Sequence, residues 1–433
     1  MHKSLIVALI FVSVSVFVSA ADSYEQTYSL ISLIENQNNY DFQSVDSLCY
    51  KYYLAGNWNE LLKTGKDAIR EGIDYKRLRQ RMGYAYFMKA DYYSAMAEYE
   101  AALNFDKSDI YTRIYLYYCG INTGNDSYAR YQLAKLPVET QKFIDPKSFK
   151  IVDAIDVEYN YKSNNNKLRS NPNYWRIGCS TKLSYQLNLY QAFSTYSQTI
   201  DSTYTNNVSL DSYLFRSRIK QDEYYIHLNW KPLEHVDFLL AYHYINTRST
   251  DSLYYKIKLL PEYKELFNDG VSNGNIFLGR IAFKYNRFDF GLSASLLTYN
   301  KILTQQYTLQ AGFTLPGSLG IQLKSKVDAI FDNEIPRYIF SQNIGFIPLK
   351  NVWLEANVTN GILKNYADYN GLYILNSKDP TIFKTGATIF WQALKKISIY
   401  GNYGYDIKQL KDENNTNTNY NQHSFSGGII WKI

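Results

Sequence analysis

Hydrophobic and polar residues alternate along most of the chain from about residue 151 to the C-terminus. Between Glu223 and Lys231 one face carries Tyr224, Ile226, Leu228 and Trp230. The other face carries Glu223, Tyr225, His227, Asn229 and Lys231. A period of two predicts β-strands. A buried sandwich strand would not carry so many charges inward, so the pattern predicts strands with an apolar outside and a wet inside.

Two further stretches repeat this pattern over lengths that suit tilted membrane strands. In residues 276–285, Phe277, Ile281, Phe283 and Tyr285 oppose Arg280 and Lys284. In residues 319–331, Leu319, Ile321, Leu323, Val327 and Phe331 oppose Gln322, Lys324, Lys326 and Asp328. Together these stretches predict a transmembrane antiparallel β-barrel over residues 150–433.

The connections between the predicted strands alternate between short and long. Short turns are predicted near Gln186, Pro232–His235, Asn286–Phe288, Pro316–Ser318, Pro348–Asn351 and Leu394–Lys396. The longer, polar connections are Ser163–Asn173, Ser202–Ser217, Ser249–Asn275, Lys364–Pro380 and Lys411–Asn419. Outer-membrane barrels have short periplasmic turns and longer outside loops. The alternation therefore predicts about fourteen strands, with both chain ends of the barrel in the periplasm.

Before the barrel, a helical pattern recurs every 34 residues. Gly56, Ala90 and Gly124 share this spacing, as do Ala68, Ala102 and Leu136. The middle unit is the clearest, with packing positions Gly83, Tyr86, Ala95, Tyr99 and Ala102. The pattern resembles the tetratricopeptide repeat. It predicts an α-helical solenoid domain over residues 21–145, with repeats at about 42–75, 76–109 and 110–143 and one further helix in residues 22–41.

A solenoid of this kind presents a concave surface that commonly binds a peptide, a protein or a polymer. We therefore expect a periplasmic protein or polymer to bind the repeats. A plain structural spacer is the alternative.

The N-terminus indicates secretion. Lys3 precedes an apolar run from Leu5 to Val18, and small residues then lead to Ala21. This is the order of a cleaved signal peptide, so we expect residues 1–20 to be removed. The 44 tyrosines among 433 residues fit a barrel with interfacial aromatic girdles. The net charge of +6 is mild for this length and indicates no particular partner.

The predicted lumen is mixed in charge. The candidate lumen-facing residues are Arg176, Lys182, Glu223, His227, Lys231, Arg280, Lys284, Lys324, Lys326, Trp353, Glu355 and Tyr400. A hydrated, self-neutralising interior is the favoured interpretation, and a selectivity ring is the alternative. The inward aromatic side chains could stack on sugar rings or fill a narrow barrel.

The sequence contains no motif for catalysis, phosphate binding or metal binding. An outer-membrane hydrolase would need a histidine and a serine on one strand face, but His423 is followed directly by Ser424, which points the other way. We therefore expect no catalytic, cofactor or metal site and no nucleic-acid binding, and we place a hydrolase last among the alternatives.

The order of signal peptide, repeats and barrel resembles the outer-membrane exporters of poly-N-acetylglucosamine and related repeat-fused barrels. The Tyr- and Asn-rich style resembles barrels of Bacteroidetes. The last strand, residues 424–433, resembles the C-terminal signal read by the barrel assembly machinery. The resemblance implies an outer-membrane pore or export channel, possible cargo being polysaccharide, with outer-membrane lipid and that machinery as partners. The alternative is a non-transporting protein whose barrel anchors the repeats.

Overall fold

The computed structural model describes residues 41–144, 149–184, 186–205, 212–256, 263–332, 335–411 and 417–433. The predicted signal peptide, and all but the last residue of the predicted helix 22–41, lie outside these ranges. The chain divides into two compact units, Met1–Asp74 and Tyr75–Ile433.

The described part of the first unit is a pair of helices, α1 (Phe42–Leu54) and α2 (Trp58–Arg70). Asp41 caps α1, because its carboxylate accepts a hydrogen bond from the Ser44 amide at 2.9 Å. Gly56 lies between the helices at φ +65°, a conformation that glycine adopts without steric cost. The buried side chains of the pair include Cys49, Leu61 and Ala68.

The second unit begins with five helices. They are α3 (Lys76–Met88), α4 (Tyr92–Phe105), α5 (Ile110–Asn122), α6 (Asp126–Ala134) and α7 (Val138–Ile144). The starts of α1, α3 and α5 are 34 residues apart, and so are those of α2, α4 and α6. Helix bounds therefore follow the predicted period, whereas membership of the tetratricopeptide class stays a prediction.

Small residues allow these helices to pack closely. A Cβ on Gly83 would lie 3.0 Å from the Tyr99 ring, and one on Gly120 would lie 2.8 Å from the Ala129 amide nitrogen. Ala95, Tyr99 and Ala102 are completely buried, and Tyr86 packs against the cluster that contains Ala95 and Tyr99. None of the helices described is both long and apolar enough to cross a membrane.

Fourteen antiparallel strands form a closed barrel, and two short strands, β12 (Tyr366–Asp368) and β13 (Tyr373–Leu375), form a separate sheet. The barrel strands are β1 (Lys150–Asn164), β2 (Asn173–Lys182), β3 (Leu187–Thr205), β4 (Ser212–Trp230), β5 (Val236–Lys256), β6 (Tyr263–Tyr285), β7 (Phe288–Tyr299), β8 (Ile302–Thr314), β9 (Gln322–Phe331), β10 (Arg337–Leu349), β11 (Val352–Leu363), β14 (Thr381–Leu394), β15 (Ile397–Lys411) and β16 (Asn417–Lys432). β16 closes the barrel on β1, with Trp431 opposite Ile155 and Ile429 opposite Val157. The predicted strand count is confirmed.

The wall is apolar outside and polar inside. Leu240 is 65% exposed and Phe277 is 59% exposed, whereas Glu158, Arg176 and Asp328 are buried within the barrel. Closure pairs the strand edges, and an apolar exterior suits hydrocarbon. A closed barrel with this alternation is the architecture of an outer-membrane protein.

Two of the outer loops were predicted too long. The connections Ser202–Ser217 and Ser249–Asn275 are largely strand, because β3 to β6 continue well past the apolar band. Beyond Tyr224 the exposed side chains of β4 include Arg218 and Lys220. These strands therefore carry polar residues on both faces, which removes the period-two signal although the strand pairing continues.

The predicted strand face can be tested on β4. Leu228 lies opposite Leu240 on the outer surface, whereas Asn229 lies opposite the buried Leu239. We expect Leu228→Arg to lower the yield of folded, heat-modifiable barrel by an amount equivalent to about 2–4 kcal/mol, because it puts a charge in lipid. Asn229→Arg is the matched control and should have a far smaller effect. Equal losses in a gel-shift folding assay would contradict the facing assignment.

Candidate functional site

The lumen is occupied by the connection Lys364–Pro380, hereafter the plug. It forms a small hairpin of β12 (Tyr366–Asp368) and β13 (Tyr373–Leu375). Asn370 and Gly371 turn the chain at φ 60° and 80°, and the Asp368 carboxylate accepts a hydrogen bond from the Tyr369 amide at 3.0 Å. The prediction of Lys364–Pro380 as an outside loop is therefore wrong. The physical reason is its content of apolar and aromatic residues, which pack against the inner wall.

The tip of the plug is held by β4, β5 and β6. The Tyr225 hydroxyl donates to the Asn370 carbonyl at 3.0 Å. His243 Nδ1 lies 2.7 Å from the Gly371 carbonyl oxygen. Leu372 packs on a buried apolar cluster that contains Tyr225 and Leu278. The tip thus combines hydrogen bonds with apolar burial.

The β12 side of the plug binds β8 and β9. Gln306 makes two hydrogen bonds of 3.0 Å with the Ala367 backbone, one to the carbonyl and one from the amide. The Tyr366 hydroxyl donates to Asp328 at 2.8 Å, and Lys326 forms an ion pair with Asp368 at 3.0 Å. These side-chain contacts fasten β12 to the inner wall.

The β13 side of the plug meets the opposite wall at Glu158. The Tyr373 and Tyr400 hydroxyls each donate to Glu158 at 2.6 Å. Arg176 forms ion pairs with Glu158 at 2.9 Å and with Asp156 at 3.1 Å. One carboxylate therefore links the plug to β2 and β15.

The C-terminal limb of the plug is fastened at Asp379. Arg169 makes a two-point contact with its carboxylate, at 2.6 Å from Nε and 3.1 Å from Nη2. The Tyr420 hydroxyl donates to the same carboxylate at 2.9 Å. Paired hydrogen bonds of this kind are among the stronger polar contacts in proteins.

The predicted lumen residues fall into separate groups. Arg176 and Tyr400 meet at Glu158. Arg280 contacts the plug at Asn370, and Lys326 contacts it at Asp368.

The remaining predicted residues lie elsewhere on the inner wall. His227 lies 3.1 Å from the Tyr225 hydroxyl, Glu223 is 3.3 Å from His243, and Trp353 donates to Glu355 at 3.2 Å. Lys182 and Lys231 are buried, whereas Lys284 and Lys324 are partly exposed. The twelve do not come together as one ring of charge.

The residues that hold the plug were not predicted from the sequence. They are above all Arg169, Gln306, Tyr366, Tyr373 and Asp379. A signal was available in the segment NYADYNGLYIL. Seven of its eleven residues are apolar or aromatic, which is unusual for a solvated loop.

A cavity of about 480 Å³ remains beside the plug. It is bounded by the plug, by β14, β15, β16 and β1, and in part by β2, β3 and β4. It extends from Phe390 and Ile430 at one end to Lys408 and Tyr420 at the other. Thr381 to Phe390 of β14 alone corresponds to roughly 30 Å along the strand. The space therefore follows one wall for much of the barrel height.

The helices of the second unit contact the short-turn end of the barrel. Arg287 binds Asp91 at 3.0 Å and the Ser94 hydroxyl at 2.9 Å, and Gln132 donates to Glu234 at 2.8 Å. Arg287 lies in the β6–β7 turn and Glu234 in the β4–β5 turn.

No protein-family model matches the chain, and no curated protein matches it. Solved structures with a similar fold include the KdgM porin in complex with disordered oligogalacturonate, at 10% identity and TM-score 0.31, covering 64% of this chain and 99% of that one. The P. putida toluene transporter TodX has 8% identity and TM-score 0.44, covering 68% and 92%. A bacterial polysaccharide outer membrane secretin has 7% identity and TM-score 0.35, covering 65% and 99%. Likeness at this level carries no functional inference.

A titratable group near the helix–barrel contact offers a pH test. Burial raises the pKa of Glu100, although the Tyr128 hydroxyl opposes this by donating to it at 2.8 Å. A raised folded-state pKa stabilises the fold at pH values below the unfolded pKa, and this contribution is lost as the pH rises through the folded pKa. Wild type should therefore lose stability as the pH rises toward neutral. Glu100→Gln should not show this loss.

The measurement is the urea dependence of the helical circular dichroism of the full chain at pH 4.5 and 7.5. The variant should gain stability relative to wild type at the higher pH. Glu139→Gln, on an exposed side chain, is the control and should leave the difference unchanged. An equal response of both variants would remove Glu100 as the cause.

Proposed function

We propose that the chain is an outer-membrane pore or export channel, narrowed by the plug, that passes carbohydrate. The observation that carries this is the elongated cavity of about 480 Å³ left between the plug and one wall. A lumen filled by side chains alone would leave no such space. The lining carries charged and amide side chains, among them Lys162, Asp406 and Asn402, that can form hydrogen bonds with a hydrated cargo.

The helices complete the proposal. They lie in the periplasm and dock a partner protein or the polymer itself. Support comes from the 34-residue spacing of the helix starts and from the contacts of α4 and α6 with the short-turn end of the barrel. These contacts hold the helices of the second unit at the short-turn end of the barrel.

The plug also supports a second candidate, a non-transporting anchor for the helices. Ion pairs at Asp368 and Asp379 fasten the plug on two sides of the lumen. A plug that never moves and seals the barrel would make the barrel a mere anchor.

Single-channel recording in planar bilayers separates the two candidates. We expect wild type to give small conductance steps, and replacement of Tyr366–Leu375 by a Gly-Ser linker to enlarge them several-fold, because the lumen is then unobstructed. Arg169→Ala should produce intermittent large openings by releasing the limb at Asp379. Arg216→Ala, which breaks the ion pair with Asp201, is the matched control and should behave as wild type.

Heat-modifiable gel migration would verify that each variant is folded. Folded wild type without conductance, together with a folded linker variant that conducts, would favour the anchor. Absence of conductance in both folded proteins would refute the pore.

A further inference from the structure

Three lysines face the cavity from neighbouring strands. Lys162 of β1, Lys384 of β14 and Lys408 of β15 all line it, as does Asp406. In the strand register Lys384 lies opposite Asp406, Asp406 opposite Gln422, and Lys162 opposite Ser424. The three side chains, hereafter the lysine cluster, therefore belong to one contiguous patch of wall.

The lysine cluster has few direct carboxylate partners. Lys384 lies 3.5 Å from Asp368, but that carboxylate also binds Lys326 at 3.0 Å. Lys408 donates to the Ser377 hydroxyl at 3.0 Å and to the Asp379 carbonyl at 3.3 Å, neither of which is charged.

Lys162 has no ion pair within 4.0 Å among the described residues. The Asp379 carboxylate is occupied by Arg169. Asp406 lines the same patch of wall, opposite Lys384 in the strand register. Lys162 and Lys408 therefore face an enclosed space without an ion pair among the described residues, whereas buried charges are normally paired.

The surrounding groups are suited to sugars. Asn160, Gln198, Asn357 and Asn402 line the cavity together with Tyr196 and Tyr400. Amides both donate and accept hydrogen bonds, as sugar hydroxyls do, and tyrosine rings offer flat apolar faces with a polar edge. The cavity volume is in the range of known ligand sites.

We propose that the lysine cluster binds the anionic groups of an acidic oligosaccharide. The lysines neutralise its carboxylates, while the amides and tyrosines contact its hydroxyls and ring faces. This rests on the proposed function, because the saccharide reaches the cavity through a lumen that admits it.

Isothermal titration calorimetry on the folded, detergent-solubilised full chain tests this. The probes are tetragalacturonate, the neutral maltotetraose and inorganic phosphate. Tetragalacturonate should bind and the other two should bind far more weakly. Lys162→Gln, Lys384→Gln and Lys408→Gln combined should weaken tetragalacturonate binding at least about tenfold, and the three corresponding arginine substitutions should retain it.

The matched control removes the same charge elsewhere, by replacing the exposed Lys220, Lys301 and Lys350 with glutamine. It should leave binding unchanged. If the triple cluster variant does not fold, Lys162→Gln alone is measured and should weaken binding. Equal binding of maltotetraose, binding of phosphate alone, or an unchanged affinity in the folded cluster variants would overturn the proposal.

Conductance and binding are read separately. A folded protein that conducts but does not bind tetragalacturonate would support the pore and refute the proposed acidic ligand. A folded protein that binds but never conducts, even with the plug replaced, would support the cluster and refute the pore.

Discussion

The structure depends on the pairing of β16 with β1. In hydrocarbon, an unpaired backbone amide or carbonyl costs several kcal/mol, so an open sheet edge is not tolerated. The continuous register from Ala154–Lys432 to Asn164–Gln422 removes both edges at once. Closure then points every second side chain into the lumen. The polar side chains at these positions must be solvated or paired. The plug and the charged inner wall follow from this constraint.

The two sides of the lumen satisfy that constraint differently. Beside β4 to β9, the plug packs apolar residues on the wall, as Leu372 and Ile374 do, and forms hydrogen bonds with Tyr225, Gln306 and Asp328. Beside β14 to β16 and β1, the polar groups line the cavity instead. An asymmetric plug of this kind narrows a barrel without filling it.

Much of the fold could be predicted from the sequence, because lipid outside and a polar lumen inside impose a two-residue hydrophobic period on each strand. Tyr224, Ile226, Leu228 and Trp230 had to face one way, and the strand count followed from the turns. The strand pairing beyond the apolar band could not be predicted, because the part of β4 around Arg218 and Lys220 lacks this period. The site was harder still. Arg169 and Asp379 are 210 residues apart in sequence, and only the closed barrel together with the infolded plug brings them together.

The contacts of the helices and the position of the plug favour the same side of the barrel. α4 and α6 touch turns that join β4 to β5 and β6 to β7, and the tip of the plug binds the inner faces of β4, β5 and β6. Movement of these strands would therefore change the contacts of both the helices and the tip of the plug. The wall that carries the lysine cluster has a different set of strands. The helix contacts and the tip contacts thus both involve β4 to β7, whereas the lysine cluster lies on β1, β14 and β15.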